Sequence, residues 1–321
     1  MIEWSGFKDK KTGLPVYSLY GKHRKPTKEM LKGLDVLVLD LFDVGARYYT
    51  YIWTLMLCME ACEEEGKTIV VLDRPNPIDG MTVEGPVLEQ NYASFVGLKP
   101  LAIRHGLTMG EIAVMFKQQY YHKCKLEIIK MKGWKRTEYY DTTGLPWAVP
   151  SPNMPTLETA VVYPGMCLFE GVNLSEGRGT TRPFELFGAP WLDADKLVKV
   201  LRSYKLPGVV FRPYHFMPTF DKHKGEICHG TFMHITDRRI FKPFLTAVGA
   251  IKACREQNIS KFKWLDGPYE YETVKLPIDI LFGNGRIRKQ IESGSALTII
   301  ERGYKSEQQI FEKERKEWLL Y

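Results

Sequence analysis

The densest concentration of chemistry-bearing side chains lies in residues 163–184, YPGMCLFEGVNLSEGRGTTRPF. Glu170, Asn173, Ser175, Arg178 and Arg182 offer convergent polar groups there, and glycines at 171, 177 and 179 let backbone amides approach a ligand. The plainer reading is a structural turn in which Arg178 and Glu170 form an internal ion pair. A phosphate loop fits poorly, because the order GxxxxGK[ST] is missing and the stretch does not sit between a strand and a helix. Asp40 and Asp43 form a second acidic group. Two carboxylates about 5 to 9.5 Å apart perform glycoside hydrolysis. An aspartate before Val44-Gly45 also makes a turn by accepting from backbone amides, so both readings stand.

The histidines of HKGEICHGTFMH (His223, His229, His234), with His215 and Cys228, have no established zinc-ligand spacing. On one strand Cys228 and His229 point to opposite faces, and no metal site is expected. Tyr48, Tyr49, Tyr51, Trp53, Trp147, Trp191 and Tyr214 serve either as stacking platforms for sugar rings or as core.

The elements that must position these groups begin with the apolar run at 36–41, VLVLDL, which reads as a parallel strand buried on both faces. Helical spacing of Ile52, Leu55, Met56, Met59 and Cys62 predicts a helix over 48–65, stopped by Gly66, and residues 68–72 supply a second strand. This is a βαβ unit. Its rim carries Asp40, Asp43 and Arg47 after the first strand and Asp73, Arg74 and Asn76 after the second, where ligands of open α/β sheets collect. A turn-rich stretch then leads through Glu84-Gly85-Pro86 to Arg104-His105-Gly106. Thr108 and Glu111 cap a helix over 108–121, and a strand follows at 126–131. Prolines concentrate between 141 and 164, placing a domain boundary near Ser151, with one domain over 1–150 and another over 151–321. Beyond it the pattern predicts helices at 194–204, 243–257 and 307–319, and strands at 209–216 and 228–236.

Composition narrows the class. The 321 residues are enough to bury a core without disulfides, and 44% hydrophobic with 26% charged residues excludes whole-chain disorder. No run approaches the roughly 20 apolar residues of a membrane-spanning helix, so no membrane partner is expected. The net charge of +7 is spread along the chain, which argues against a nucleic-acid groove. Six cysteines without a CxxC pair read as free buried thiols. No export signal is legible at Met1-Ile2-Glu3, and no GxGxxG follows any strand, which opposes a dinucleotide enzyme. Oligomeric state and compartment stay open.

Over residues 11–321 the chain resembles the exo-acting β-N-acetylmuramidase (NamZ-like) family. The blocks that carry the resemblance include KTGLPVYSLYG, DLFDVGARYYTY, VLDRPNPIDG, RHGLTMGEIA, PSPNMPTLETA, YPGMCLFEGVNLSEGRGTTRPFE and FRPYHFMPTFDKHKGEICHG. The resemblance implies an α/β fold: a Rossmann-like parallel-sheet domain, N-terminally incomplete, and a second, smaller α+β domain closing a cleft. It also implies hydrolytic release of terminal N-acetylmuramic acid from non-reducing ends of peptidoglycan fragments, with a saccharide partner, no cofactor, and export to the cell envelope allowed. Family members open with a Gly-Pro-Glu-His-Gly block whose glutamate is the leading catalytic candidate. No such block occurs here, and Phe42 stands where the family usually shows glutamine. The remaining carboxylates for catalysis are then Glu170, Asp43 and Glu84, in that order. A planar guanidinium from Arg178, Arg47 or Arg74 would hold the lactyl carboxylate. Asn76, Asn153, Asn173, Ser175 and His105 would contact substrate hydroxyl and acetamido groups. The alternative is a non-catalytic saccharide-binding or truncated, inactive homologue that keeps the cleft.

Overall fold

The computed structural model describes residues 6–321. A short hairpin, β1 (Phe7–Lys8) with β2 (Pro15–Val16), and a single helical turn, α1 (Lys28–Leu31), precede the first sheet. Then come β3 (Val36–Leu39), α2 (Tyr51–Glu64) and β4 (Thr68–Leu72), the expected βαβ unit. β5 (Glu84–Val87) pairs antiparallel with β6 (Ala102–Arg104). After α3 (Met109–Gln119), β7 (Lys125–Ile129) completes a parallel sheet of order β3-β4-β7.

The first strand departs from expectation. It stops at Leu39, lies at the sheet edge, and leaves Val36 and Val38 43% and 56% exposed. The cause is one-sided cover: Ile52, Leu55 and Met59 of α2 and Ile112 and Phe116 of α3 pack with Leu39, Ile69 and Val71 on a single face. On the other face β7 presents Lys125, Glu127 and Ile129 outward. The anticipated cap of α3 is present. Thr108 Oγ1 accepts from Glu111 N at 3.2 Å, and the Glu111 carboxylate accepts from Thr108 N at 2.9 Å.

The second half contains α4 (Leu157–Met166), β8 (Leu186–Ala189), α5 (Ala194–Ser203), β9 (Val209–Phe216), β10 (Cys228–Ile235), α6 (Pro243–Gln257), α7 (Pro277–Phe282), α8 (Arg286–Glu292) and α9 (Leu297–Glu314). Its sheet is antiparallel, with β10 between β8 and β9. Helix α4 carries no polar stripe because it is buried on nearly every side, so helical periodicity does not reveal it. It crosses α6 so closely that a Cβ on Gly165 would sit 1.9 Å from Pro243 O. The closing helix begins ten residues earlier than its pattern suggests and ends at Glu314, where a 3₁₀ turn, Arg315–Trp318, follows. All six cysteines are free and buried. No helix among the described residues is long and apolar enough to cross a membrane.

One apolar cluster joins Phe42, Val44 and Tyr48 to α4, α6 and α7, so packing runs across the expected boundary at 151. Two polar residues stitch the same join. The Arg47 guanidinium is fully buried and donates to Pro86 O and Leu101 O, both at 3.2 Å, and to Leu281 O at 2.6 Å. Glu84 accepts from Phe244 N and Leu245 N, both at 3.1 Å, which caps the orphan amides that open α6. Both side chains are buried and bonded to backbone groups.

Burial pushes the Glu84 carboxyl up from 4.5 to about 7. Its contribution to stability is therefore complete below about pH 4.5 and lost as pH rises through about 7. Glu84→Ala should cost roughly 1–3 kcal/mol by stranding two buried amides. Urea unfolding at pH 5 and pH 8 checks both points: the wild-type advantage over the variant should be smaller at pH 8.

Candidate active site

Helix α4 ends in a 3₁₀ turn, Cys167–Gly171, that delivers Glu170 to the mouth of the glycine-rich segment. Both oxygens of its carboxylate are engaged. Arg178 donates to Oε1, and the Tyr269 hydroxyl donates to Oε2 at 2.7 Å. Burial, together with the Glu170 charge, raises the Tyr269 pKa, which keeps that hydroxyl a donor. Arg178 also lies 3.5 Å from Glu176 and 3.7 Å from Asp221. Burial opposes its charge, but the Glu170 and Glu176 carboxylates outweigh that and raise its pKa. Glu176 is almost fully buried, and Lys222 Nζ meets it at 2.6 Å while donating to Phe169 O at 2.7 Å. The ion pair foreseen as the structural alternative thus forms inside a larger alternating network, where each buried charge has an opposite neighbour.

The glycines serve this network by letting protein backbone come close. A Cβ at Gly171 would lie 2.7 Å from Ile278 Cα, and one at Gly179, whose φ is +78°, would lie 2.7 Å from Phe220 N. Ser175 exchanges both backbone hydrogen bonds with Gly188, stitching the segment to β8, and its hydroxyl accepts from Gly177 N at 3.2 Å. The Asn173 side chain accepts from Lys263 N and donates to Lys261 O, both at 2.8 Å. Asn153 is half-buried and makes no side-chain hydrogen bond among the described residues.

At the parallel-sheet rim, Asp43 Oδ2 accepts from Gly45 N at 2.7 Å, the turn its sequence suggests. The same oxygen lies 3.6 Å from Nε2 of the fully buried His105. His105 Nδ1 accepts from Leu107 N at 3.1 Å, which places the proton on Nε2, facing Asp43. Asp43 Oδ1 is buried without a partner. Asn76 is spent on Leu107 O at 2.9 Å and Ile78 N at 3.1 Å. Arg74 grips Asp40 through two bonds, at 2.6 and 3.0 Å, on the exposed rim. Asp73 accepts from Thr108 Oγ1 and Gly110 N, both at 2.7 Å, and so supports α3. Phe42 packs against Tyr140 and Trp147, with ring centroids 4.9 and 5.0 Å away.

An aromatic partition connects the two regions. Tyr49 meets Tyr163 at 5.8 Å, Tyr163 meets Phe184 at 5.0 Å, and Arg178 lies 5.2 Å from the Phe184 ring. Several site residues were not legible in the sequence. Tyr269 and Glu270 lie about a hundred residues beyond Glu170, and only the turn signal Gly267-Pro268 marks their position. Glu270 Oε2 is buried and unpartnered, its backbone φ is +45°, and burial with the neighbouring Glu170 charge raises its pKa. His215 and His229 face each other across β9 and β10 with Nδ1 atoms 2.8 Å apart, while Cys228 is buried on the opposite face. Among the described residues no three metal-ligating side chains converge.

Two family models cover nearly the whole chain: exo-β-N-acetylmuramidase NamZ, N-terminal, over residues 1–158, and its C-terminal counterpart over residues 161–321. The peptidoglycan β-N-acetylmuramidase NamZ of Bacillus subtilis (strain 168) is 48% identical over 320 residues, which is 99% of this chain and 75% of that protein. Two crystal structures of DUF1343 family proteins from Bacteroides fragilis superpose with TM-scores of 0.88 and 0.78, at 37% and 31% identity. The alignments span 98% of this chain in each case and 82% and 81% of those chains. With both halves matched and near-half identity along its length, this chain belongs to the exo-β-N-acetylmuramidase NamZ family.

Proposed function

We propose that this chain is a glycosidase releasing terminal N-acetylmuramic acid from the non-reducing ends of peptidoglycan fragments. The observation that carries the proposal is 48% identity, across 99% of the chain, with a protein named for that reaction. The geometry supports it with an oriented, partly buried carboxylate. Glycoside cleavage passes through an oxocarbenium-like state that needs negative charge near the anomeric carbon and a proton for the leaving oxygen. Glu170 supplies the charge. Donors on both of its oxygens hold it aimed, so no reorganisation is needed as positive charge develops. In this reading Arg178 is a positioning residue. Asp43, set against His105 with one oxygen free, is the remaining proton donor, and Asn153 is available to an acetamido group.

The fold reading that accompanies it is a Rossmann-like domain over 1–150 and a smaller α+β domain over 151–321. Support comes from the separate parallel and antiparallel sheets on either side of residue 151.

A chromogenic N-acetylmuramide tests the reaction directly: release above the buffer rate is expected, and binding without release would leave a saccharide-binding module instead. Glu170→Gln should lower kcat by about 10²–10⁴-fold. Tyr269→Phe removes one donor and should cost roughly tenfold in kcat while KM changes little. Circular dichroism melts of both variants separate lost chemistry from lost folding.

A further inference from the structure

His215 and His229 stand directly opposite each other in the β9–β10 ladder, so their side chains leave the same face of the sheet. Their Nδ1 atoms are 2.8 Å apart, and the rings meet at 80° with centroids 4.8 Å apart. His215 is exposed and His229 half-buried, so solvent reaches the pair. Neither ring has a carboxylate partner among the described residues. Two neutral imidazoles hold this distance with one Nδ1 donating and the other accepting. The result is a pair of convergent ring nitrogens, the donor set of a bidentate metal site.

The pair sits at the neck of the hairpin. Phe216 and Cys228, the last rung of the ladder, are buried on the opposite face and fix the backbone there. Beyond them the 217–227 loop reaches the Glu170 network. Thr219 N donates to Gly179 O at 2.9 Å, Asp221 lies 3.7 Å from Arg178, and Lys222 lies 2.6 Å from Glu176. A metal clip that closes a loop stabilises it by removing chain entropy from the unfolded state. A clip at this neck would therefore act on the segment that supplies Arg178 and Glu176 with partners.

Imidazole nitrogens bind first-row ions at about 2.0–2.1 Å, so cis positions of a square-planar ion lie about 2.8–3.0 Å apart and tetrahedral positions about 3.3–3.4 Å. The observed 2.8 Å matches the first arrangement. The Cβ–Cγ torsion of histidine is broad, so each ring can turn its lone pair onto a shared ion without moving the strands. We propose that His215 and His229 form a bidentate site for a divalent transition ion, Cu²⁺ in preference to Zn²⁺, which clips the neck of the β9–β10 hairpin. The ion takes the Nδ1 lone pair of both rings. The proton shared between them passes through solvent to Nε2 of its own ring, so both imidazoles stay neutral, and water completes the coordination on the exposed side. Sheet register, not a local ligand spacing, makes this site, since 14 positions separate the two histidines.

The probes are Cu²⁺ and Zn²⁺, titrated calorimetrically into the intact chain. Cu²⁺ should bind roughly tenfold or more tightly than Zn²⁺. His215→Asn and His229→Asn should each weaken Cu²⁺ binding by about ten- to a hundredfold. His234→Asn, which alters the other face of β10, should leave it unchanged. Saturating Cu²⁺ should raise the melting temperature of the wild type and of neither His215→Asn nor His229→Asn. Electron paramagnetic resonance of the wild-type complex should show nitrogen couplings from two imidazoles, a readout that does not depend on any variant folding. If both single variants bind Cu²⁺ as tightly as the wild type, or the spectrum shows fewer than two imidazoles, the ion sits elsewhere and the site is overturned. Zn²⁺ binding more tightly than Cu²⁺ would overturn the square-planar assignment, and the absence of saturable binding of either ion would overturn the proposal outright.

Discussion

The site depends on one electrostatic constraint: Glu170 and Arg178 are both partly withdrawn from water, and each needs the other's charge there. An unpaired buried charge costs several kcal/mol, so the chain around the pair is arranged to supply partners. Glu176 and Asp221 share the Arg178 charge, Lys222 balances Glu176, and Tyr269 closes the second oxygen of Glu170. These residues come from the glycine-rich segment, the 218–225 loop and the 267–272 turn. Meeting at one point holds all three in place.

The same constraint explains the glycines. Three loops can converge on a buried ion pair only if their backbones nearly touch, and any side chain at Gly171 or Gly179 would fill that space. The residues that look most like a ligand cradle therefore form a seam between neighbouring backbone segments.

On the parallel-sheet side, polar rim residues are mostly engaged in holding the scaffold. Asp73 supports α3, Asn76 braces the turn after β4, and Arg315 donates to Gly80 O, Gly106 O and Met81 O at 3.0, 2.8 and 2.5 Å. Buried backbone carbonyls in these turns need donors, and long side chains from distant elements provide them. Asp43 Oδ1 and His105 Nε2 are each buried without a hydrogen-bond partner, as are Arg47 Nε and Arg104 Nε.

Local pattern alone determined the βαβ unit, the capping box of α3, the two long strands β9 and β10, and helix α6, because periodicity, turn residues and caps act over a few positions. It also picked out the segment that carries Glu170 and Arg178. Helix α4 was illegible because burial on nearly every side erases the polar stripe that marks a helix. The exposure of β3 was illegible too, because an apolar run does not state how many neighbours it will have. Only the folded chain decided which polar side chains serve the scaffold and which stay free. Arg47, Arg74 and Arg24 are the same residue type, and they differ in what lies within reach. Carbonyls, an aspartate and two aromatic faces are brought to them by contacts as far as 247 positions away, between Arg24 and Tyr271, and no local pattern encodes contacts of that range.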